Sequence, residues 1–299
     1  MPSQAHDTLV SMLREAPMFS SPDGSIDVAA IRRSMEAMTA GSVLPEGTQA
    51  EPLDVAGVAA EWLAGPGADA SRALLYLHGG GYVIGSIRTH RALAARIAEA
   101  AGIRSLIIDY RLAPEHPHPA AVEDAVAAYD FLLDEGLAPE RIAIGGDSAG
   151  GGLTFATLVA LRESGRPLPG AAIALSPWTD LEGTGESMRT RAEADPMVSK
   201  DGLLQMAGFY LRGADPRQPT ASPLHADLRG LPPIAIQVGT AETLLDDSLR
   251  IAERLRAAGG TVELEAFEDL IHVFQAFAPH VPESLEAIAR LGDFLKRRL

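Results

Sequence analysis

The stretch Arg141-Ile-Ala-Ile-Gly-Gly-Asp-Ser-Ala-Gly-Gly-Gly-Leu153 decides how this chain is read. Residues 142–144 form a short apolar run suited to a buried strand, and a helical pattern follows over 149–162. Between them Gly146-Asp147-Ser148-Ala149-Gly150 fits G-x-S-x-G, the pattern of a serine on a strained strand-to-helix turn. Such a turn brings strand and helix almost into contact, so the positions two before and two after the serine must be small. Gly146 and Gly150 occupy them. The hydroxyl is then held clear of the sheet, and the Ala149 N–H, at a helix start, has no carbonyl of its own helix to bind. A glycine-rich turn with a chance serine carries the same five letters, so the motif counts only with partners elsewhere in the chain.

One partner is His78-Gly-Gly-Gly-Tyr82, which follows an apolar run at 73–77. Consecutive glycines let backbone N–H groups approach a developing negative charge, with Gly80 and Gly81 as donors beside Ala149. His78 reads as the group that holds this loop. Phosphate binding is a poor alternative, because neither G-x-x-x-x-G-K-[ST] nor G-x-G-x-x-G is present.

A serine nucleophile also needs a base and an acid, expected in the order Ser, acid, His after later strands. His272 follows a strand-like run at 262–267 and is the candidate base. His280 also follows that run, but Pro279 and Pro282 set it in a loop farther off. His6, His78, His90, His116, His118 and His225 read as structural or surface residues. The run 234–238 is followed by Gly239-Thr-Ala-Glu-Thr-Leu-Leu-Asp-Asp247. Glu242 lies nearest the strand's carboxyl end, where ligand-facing loops emerge, and is the preferred acid. Asp246 is the alternative, although Asp246 and Asp247 also suit a helix N-terminus.

Around these motifs strands and helices alternate. Runs at 53–55, 58–63, 73–77, 103–108, 142–144, 171–175, 234–238 and 262–267 read as strands. Helical patterns fall at 120–133, 149–162, 246–258 and 283–298. This alternation predicts an α/β fold, a mostly parallel sheet covered on both faces. Residues 1–45 form two amphipathic pieces interrupted at Pro17, one carrying Leu9, Val10, Met12 and Leu13, the other capped by Asp27 and carrying Val28, Ile31, Met35 and Met38. The interval 175–234 is too long for an ordinary crossover and carries a helix near 200–211. Residues 1–45 and an insertion near 180–220 are therefore expected to make a cap over a catalytic domain at 46–299. Met18, Phe19, Tyr82, Asp147 and Phe209 are candidate substrate contacts.

Composition excludes several classes. A chain of 299 residues with net charge −15 and no Lys/Arg cluster is a poor nucleic-acid binder. No cysteine is present, so disulfides and thiolate chemistry are ruled out. With 46% apolar and 22% charged residues, no secretory leader pattern and no apolar run near ~18 residues, the chain reads as soluble, cytoplasmic and without a membrane partner.

Taken together, HGGG, GDSAG and the late histidine resemble the hormone-sensitive lipase family, the bacterial family IV esterases of the α/β-hydrolase superfamily. The likeness extends to Asp109-Tyr-Arg-Leu-Ala-Pro-Glu115 and Pro119-Ala-Ala-Val-Glu-Asp124 and spans most of residues 45–299. It implies an α/β-hydrolase fold with a helical cap, Ser148 as nucleophile, His272 as base, and Gly80, Gly81 and Ala149 as the oxyanion hole. The family's acid motif Asp-Pro-Leu-x-Asp stands here as Glu242-Thr-Leu-Leu-Asp246, consistent with a Glu-for-Asp exchange. Arg111 and Glu115 are implied to form a salt-bridged brace beneath the site. The resemblance further implies a serine carboxylesterase for short- to medium-chain acyl esters, with tolerance of tertiary alcohols, no metal or cofactor, and a homodimer. An amidase or lactonase could use the same apparatus. A non-catalytic receptor is disfavoured, because the related plant gibberellin receptors lack the catalytic histidine and His272 is present here.

Overall fold

The computed structural model describes residues 2–15 and 27–299, so Pro17, Met18 and Phe19 lie outside the described residues. The helices are α1 (Gln4–Glu15), α2 (Val28–Thr39), α3 (Ile87–Ala101), α4 (Ala120–Asp134), α5 (Ala149–Glu163), α6 (Ser187–Thr190), α7 (Lys200–Leu211), α8 (Leu245–Ala257) and α9 (Pro282–Arg298). The strands are β1 (Gln49–Val55), β2 (Val58–Ala64), β3 (Asp69–Leu77), β4 (Ile103–Ile108), β5 (Ile142–Asp147), β6 (Ala171–Leu175), β7 (Ile234–Gly239) and β8 (Val262–Phe267). Among the described residues they form one eight-stranded sheet in the order β1-β2-β4-β3-β5-β6-β7-β8. β2 runs antiparallel to β1 and β4, and every pairing from β4 to β8 is parallel.

Alternation along the central strands sorts their side chains into two cores. Leu75 and Leu77 of β3, with Ile142 and Ile144 of β5, pack under α4, α5 and α8 through Tyr129, Phe155 and Ile251. Leu74, Tyr76 and Ala143 point the other way, against Leu93 and Ile97 of α3 and Leu291 and Phe294 of α9. Breaking either face forfeits the burial of its large apolar side chains, about 1.5–3 kcal/mol each.

β5 extends three residues beyond the apolar run, because Gly145, Gly146 and Asp147 continue the pairing with β6. Periodicity cannot register glycine, so the strand looked shorter in the sequence. Asp27 caps α2, its carboxylate accepting from the Ala30 N–H at 2.9 Å. In α2, Val28, Ile31 and Met35 face the core, whereas Met38 is 50% exposed at the helix end. In α1, Leu9, Val10 and Leu13 pack on Leu270, Ile271 and Phe274 around His272, whereas Met12 is 63% exposed. Met12 sits one residue before Leu13 and about 100° round the helix, which carries it off the packed stripe.

Candidate active site

The turn after β5 is built by exclusion. Ser148 has φ +53° and ψ −119°, a conformation costly for a residue with a Cβ. Three backbone bonds hold it there: Ser148 N–H to the Leu175 carbonyl (2.8 Å), and the Gly152 and Trp178 N–H groups to the Ser148 carbonyl (3.0 and 2.9 Å). A methyl at Gly150 would overlap the Leu77 carbonyl oxygen, and one at Gly146 would strike both Leu77 and the Gly150 carbonyl. Gly150→Ala is therefore expected to cost at least about 3 kcal/mol, read as a lowered Tm or loss of soluble protein. A wild-type Tm for that variant would contradict the contact.

The glycine loop following β3 lies beside this turn. Gly80, Gly81 and Tyr82 take φ of +111°, +61° and +63° in succession, and the Gly80 carbonyl accepts from Val83 and Ile84 N–H at 3.0 and 2.9 Å. Among the described residues no acceptor takes the Gly80 or Gly81 N–H. His78 Nδ1 donates to the Gly79 carbonyl at 2.7 Å, its ring stacks on Tyr110 at 4.2 Å, and its own carbonyl accepts from the Tyr110 hydroxyl. Burial, followed by the charge of His90, pushes the His78 pKa down to about 3, so its ring stays neutral.

Asp147 is a correction to the sequence reading, which set it on the substrate. Strand alternation sends its side chain the other way: the carboxylate is 3% exposed and accepts from the Tyr76 hydroxyl (2.8 Å) and the Gly79 N–H (3.1 Å). His90 Nε2 stands 3.4 Å from its second oxygen. Burial disfavours the charge, but His90 and the Tyr76 hydroxyl outweigh it and hold the carboxyl below the usual range. Asp147 thus pins the start of the glycine loop. Gly79 leaves the room it needs, since a Cβ there would meet the carboxylate.

Three strands away, His272 Nδ1 lies 2.9 Å from Glu242 Oε1. Glu242 is fully buried, and its Oε2 accepts from the Ser176 hydroxyl (2.8 Å) and the Gly239 N–H (2.9 Å). Since Nδ1 must donate to the carboxylate, Nε2 is the ring nitrogen left to accept a proton. Burial opposes an imidazolium, but the Glu242 charge and hydrogen bond overcome it and raise the His272 pKa above the ordinary value. Asp246 instead accepts from the Ser187 N–H at 2.9 Å, and Asp247 from the Thr179 and Asp180 N–H groups.

Ser176 is the link that motif reading missed. Its hydroxyl donates to Glu242 and accepts from the Val273 N–H (3.1 Å), while Trp178, two residues on, holds the Ser148 carbonyl. One short segment after β6 thereby ties the Ser148 turn to Glu242 and to the residue after His272. Its only sequence signal is a polar residue at the carboxyl end of a strand. Asp195 is a second missed support, accepting from the Thr243 N–H beside Glu242 at 2.9 Å.

The remaining expected contacts are placed as follows. Tyr82 is buried, stacked on Tyr210 of α7 at 3.9 Å, with its ring 6.0 Å from Trp178. Phe209 is half-buried on α7 against the core. Arg111 and Glu115 do not pair with each other. Arg111 binds Asp124 and Glu123, and Glu115 binds Arg32 of α2. Among the described residues, Asp180, Glu182 and His225 could offer metal ligands, their donor atoms lying within 4.8 Å of one another. Asp180 is already ion-paired to Arg250 and Glu182 to Arg217, so the cluster is served as an ion-pair network. Among the described residues no helix is long and apolar enough to cross a membrane.

The chain is similar to several known proteins. An alpha/beta hydrolase fold family matches residues 74–276. An acetyl-hydrolase of Streptomyces hygroscopicus is 47% identical over 237 residues, 79% of each chain. The crystal structure of an esterase from the bacterial hormone-sensitive lipase family superposes with a TM-score of 0.95 at 52% identity, covering 100% of this chain and 99% of that one. EstE5, in a crystal soaked with p-nitrophenyl butyrate, matches at a TM-score of 0.95 and 47% identity over 99% of both chains.

Proposed function

Because this chain belongs to the bacterial hormone-sensitive lipase family of α/β-hydrolase-fold esterases, and is a carboxylic ester hydrolase, we propose that it cleaves short- to medium-chain acyl esters through an acyl-enzyme on Ser148. Ser148 Oγ attacks the ester carbonyl while His272 Nε2 takes its proton. The tetrahedral oxyanion is received by the N–H groups of Gly80, Gly81 and Ala149. Glu242 fixes the His272 tautomer and stabilises the imidazolium. His272 next protonates the leaving alkoxide, then removes a proton from the water that attacks the acyl-enzyme, and the acid departs as Ser148 is restored. The observation that carries this reading is the Glu242 to His272 contact, tied through Ser176 to the segment that holds Ser148.

The helices α1, α2 and α7 are assigned to a cap. Met206 of α7 lies over Gly81, where a Cβ would strike its sulfur, and Tyr82, Tyr210 and Trp178 fill the space behind. So little room beside the oxyanion glycines suits small acyl groups. A series of p-nitrophenyl esters from acetate to palmitate should give its highest kcat/KM at acetate or butyrate, and matched anilides should be turned over far more slowly. A maximum at palmitate, or equal anilide turnover, would overturn the substrate assignment.

A further inference from the structure

We propose that Arg32, on α2, is a positioning residue for the glycine loop: it sets how well Gly80 and Gly81 hold a developing oxyanion. The proposal rests on the serine-esterase reading above. Three consecutive left-handed residues, Gly80, Gly81 and Tyr82, make the loop costly to hold, and such backbone persists only where its surroundings determine it. Its entry is pinned by Asp147 through the Gly79 N–H. Arg32 pins its exit. Nε donates to the Val83 carbonyl at 2.8 Å and Nη2 to the Ala113 carbonyl at 2.9 Å.

Both carbonyls belong to the loop's own network. Val83 closes the turn on the Gly80 carbonyl, and the Ala113 N–H donates to the Tyr82 carbonyl at 2.9 Å. Glu115 pairs with the guanidinium on its exposed side, with Nη1 and Nη2 each 2.9 Å from a carboxylate oxygen. Glu36 of α2 adds a further tie just downstream, accepting from the Ser86 hydroxyl at 2.9 Å. An exposed ion pair alone would be worth little. A fixed fork on two buried residues of the loop network is different, because small errors in donor direction are felt most when charge develops.

The test uses the full-length enzyme, with active sites counted by fluorophosphonate titration. Removing an oxyanion donor outright costs ~10²–10³, so misdirecting donors through Arg32→Ala should lower kcat about tenfold with KM within about twofold. Inhibition by an alkyl trifluoromethyl ketone, whose serine adduct places an oxyanion in the hole, should weaken in step with kcat/KM. Glu115→Gln keeps both carbonyl contacts and should leave kcat within about twofold. Arg32→Gln and Arg32→Lys, which each keep a donor, should fall between wild type and alanine, and they carry the test if the alanine variant does not fold. A lowered Tm with wild-type kcat per titrated site in all three Arg32 variants would make Arg32 a brace only and overturn the proposal. Failure of the serine-esterase reading would look different, as near-wild-type ester hydrolysis in folded Ser148→Ala.

Discussion

Ser148→Ala is expected to lower kcat for p-nitrophenyl butyrate on the order of 10⁶-fold while leaving the fold intact. Alanine suits the turn as well as serine does, since the φ of +53° is enforced by backbone bonds to Leu175, Gly152 and Trp178 that do not involve the hydroxyl. The Tm should therefore stay close to wild type, and the lost rate is chemical. Residual hydrolysis above water, about 10³-fold, would come from the glycine loop and binding. A folded Ser148→Ala protein retaining near-wild-type turnover would remove the acyl-enzyme mechanism.

Glu242→Gln should cost on the order of 10⁴ in kcat, for a reason written in the hydrogen bonds. Oε2 accepts two donors, from Ser176 and Gly239, so that position must remain an oxygen. The glutamine amide nitrogen would then occupy the place of Oε1 and face His272 Nδ1 donor to donor. Relief comes by the other tautomer, which puts the proton on Nε2 and leaves no lone pair for the Ser148 hydroxyl. The pH profile gives a second reading. The base must be neutral, so wild-type kcat/KM should fall as pH drops through a His272 pKa above the ordinary histidine value. Losing the carboxylate removes the main influence that raises that pKa, and the acid limb of Glu242→Gln should move to lower pH. An unmoved limb with unchanged kcat would show that Glu242 does not govern His272.

Much of this was legible along the chain because its causes are local. The two-residue alternation of Leu74 to Leu77, the glycines around Ser148 and the Asp27 cap each act within a few residues. What failed did so where a third dimension decides. Asp147 adjoins Ser148 in sequence, yet the pleat of β5 turns it beneath the glycine loop. Arg111 and Glu115 lie four residues apart, but their partners come from α4 and α2. Ser176 matters only because β6 lies between β5 and β7, a neighbour relation that no local pattern encodes. Arg32 carries no local signal for the same reason, since its acceptors lie 51 and 81 residues away.

The most direct measurement is the site of covalent capture. A fluorophosphonate reacted to complete loss of esterase activity should leave one adduct per chain, on the peptide carrying Ser148, with labelling slowed steeply in Glu242→Gln. Complete inactivation with the adduct on another residue, or full activity in protein quantitatively labelled at Ser148, would contradict the account.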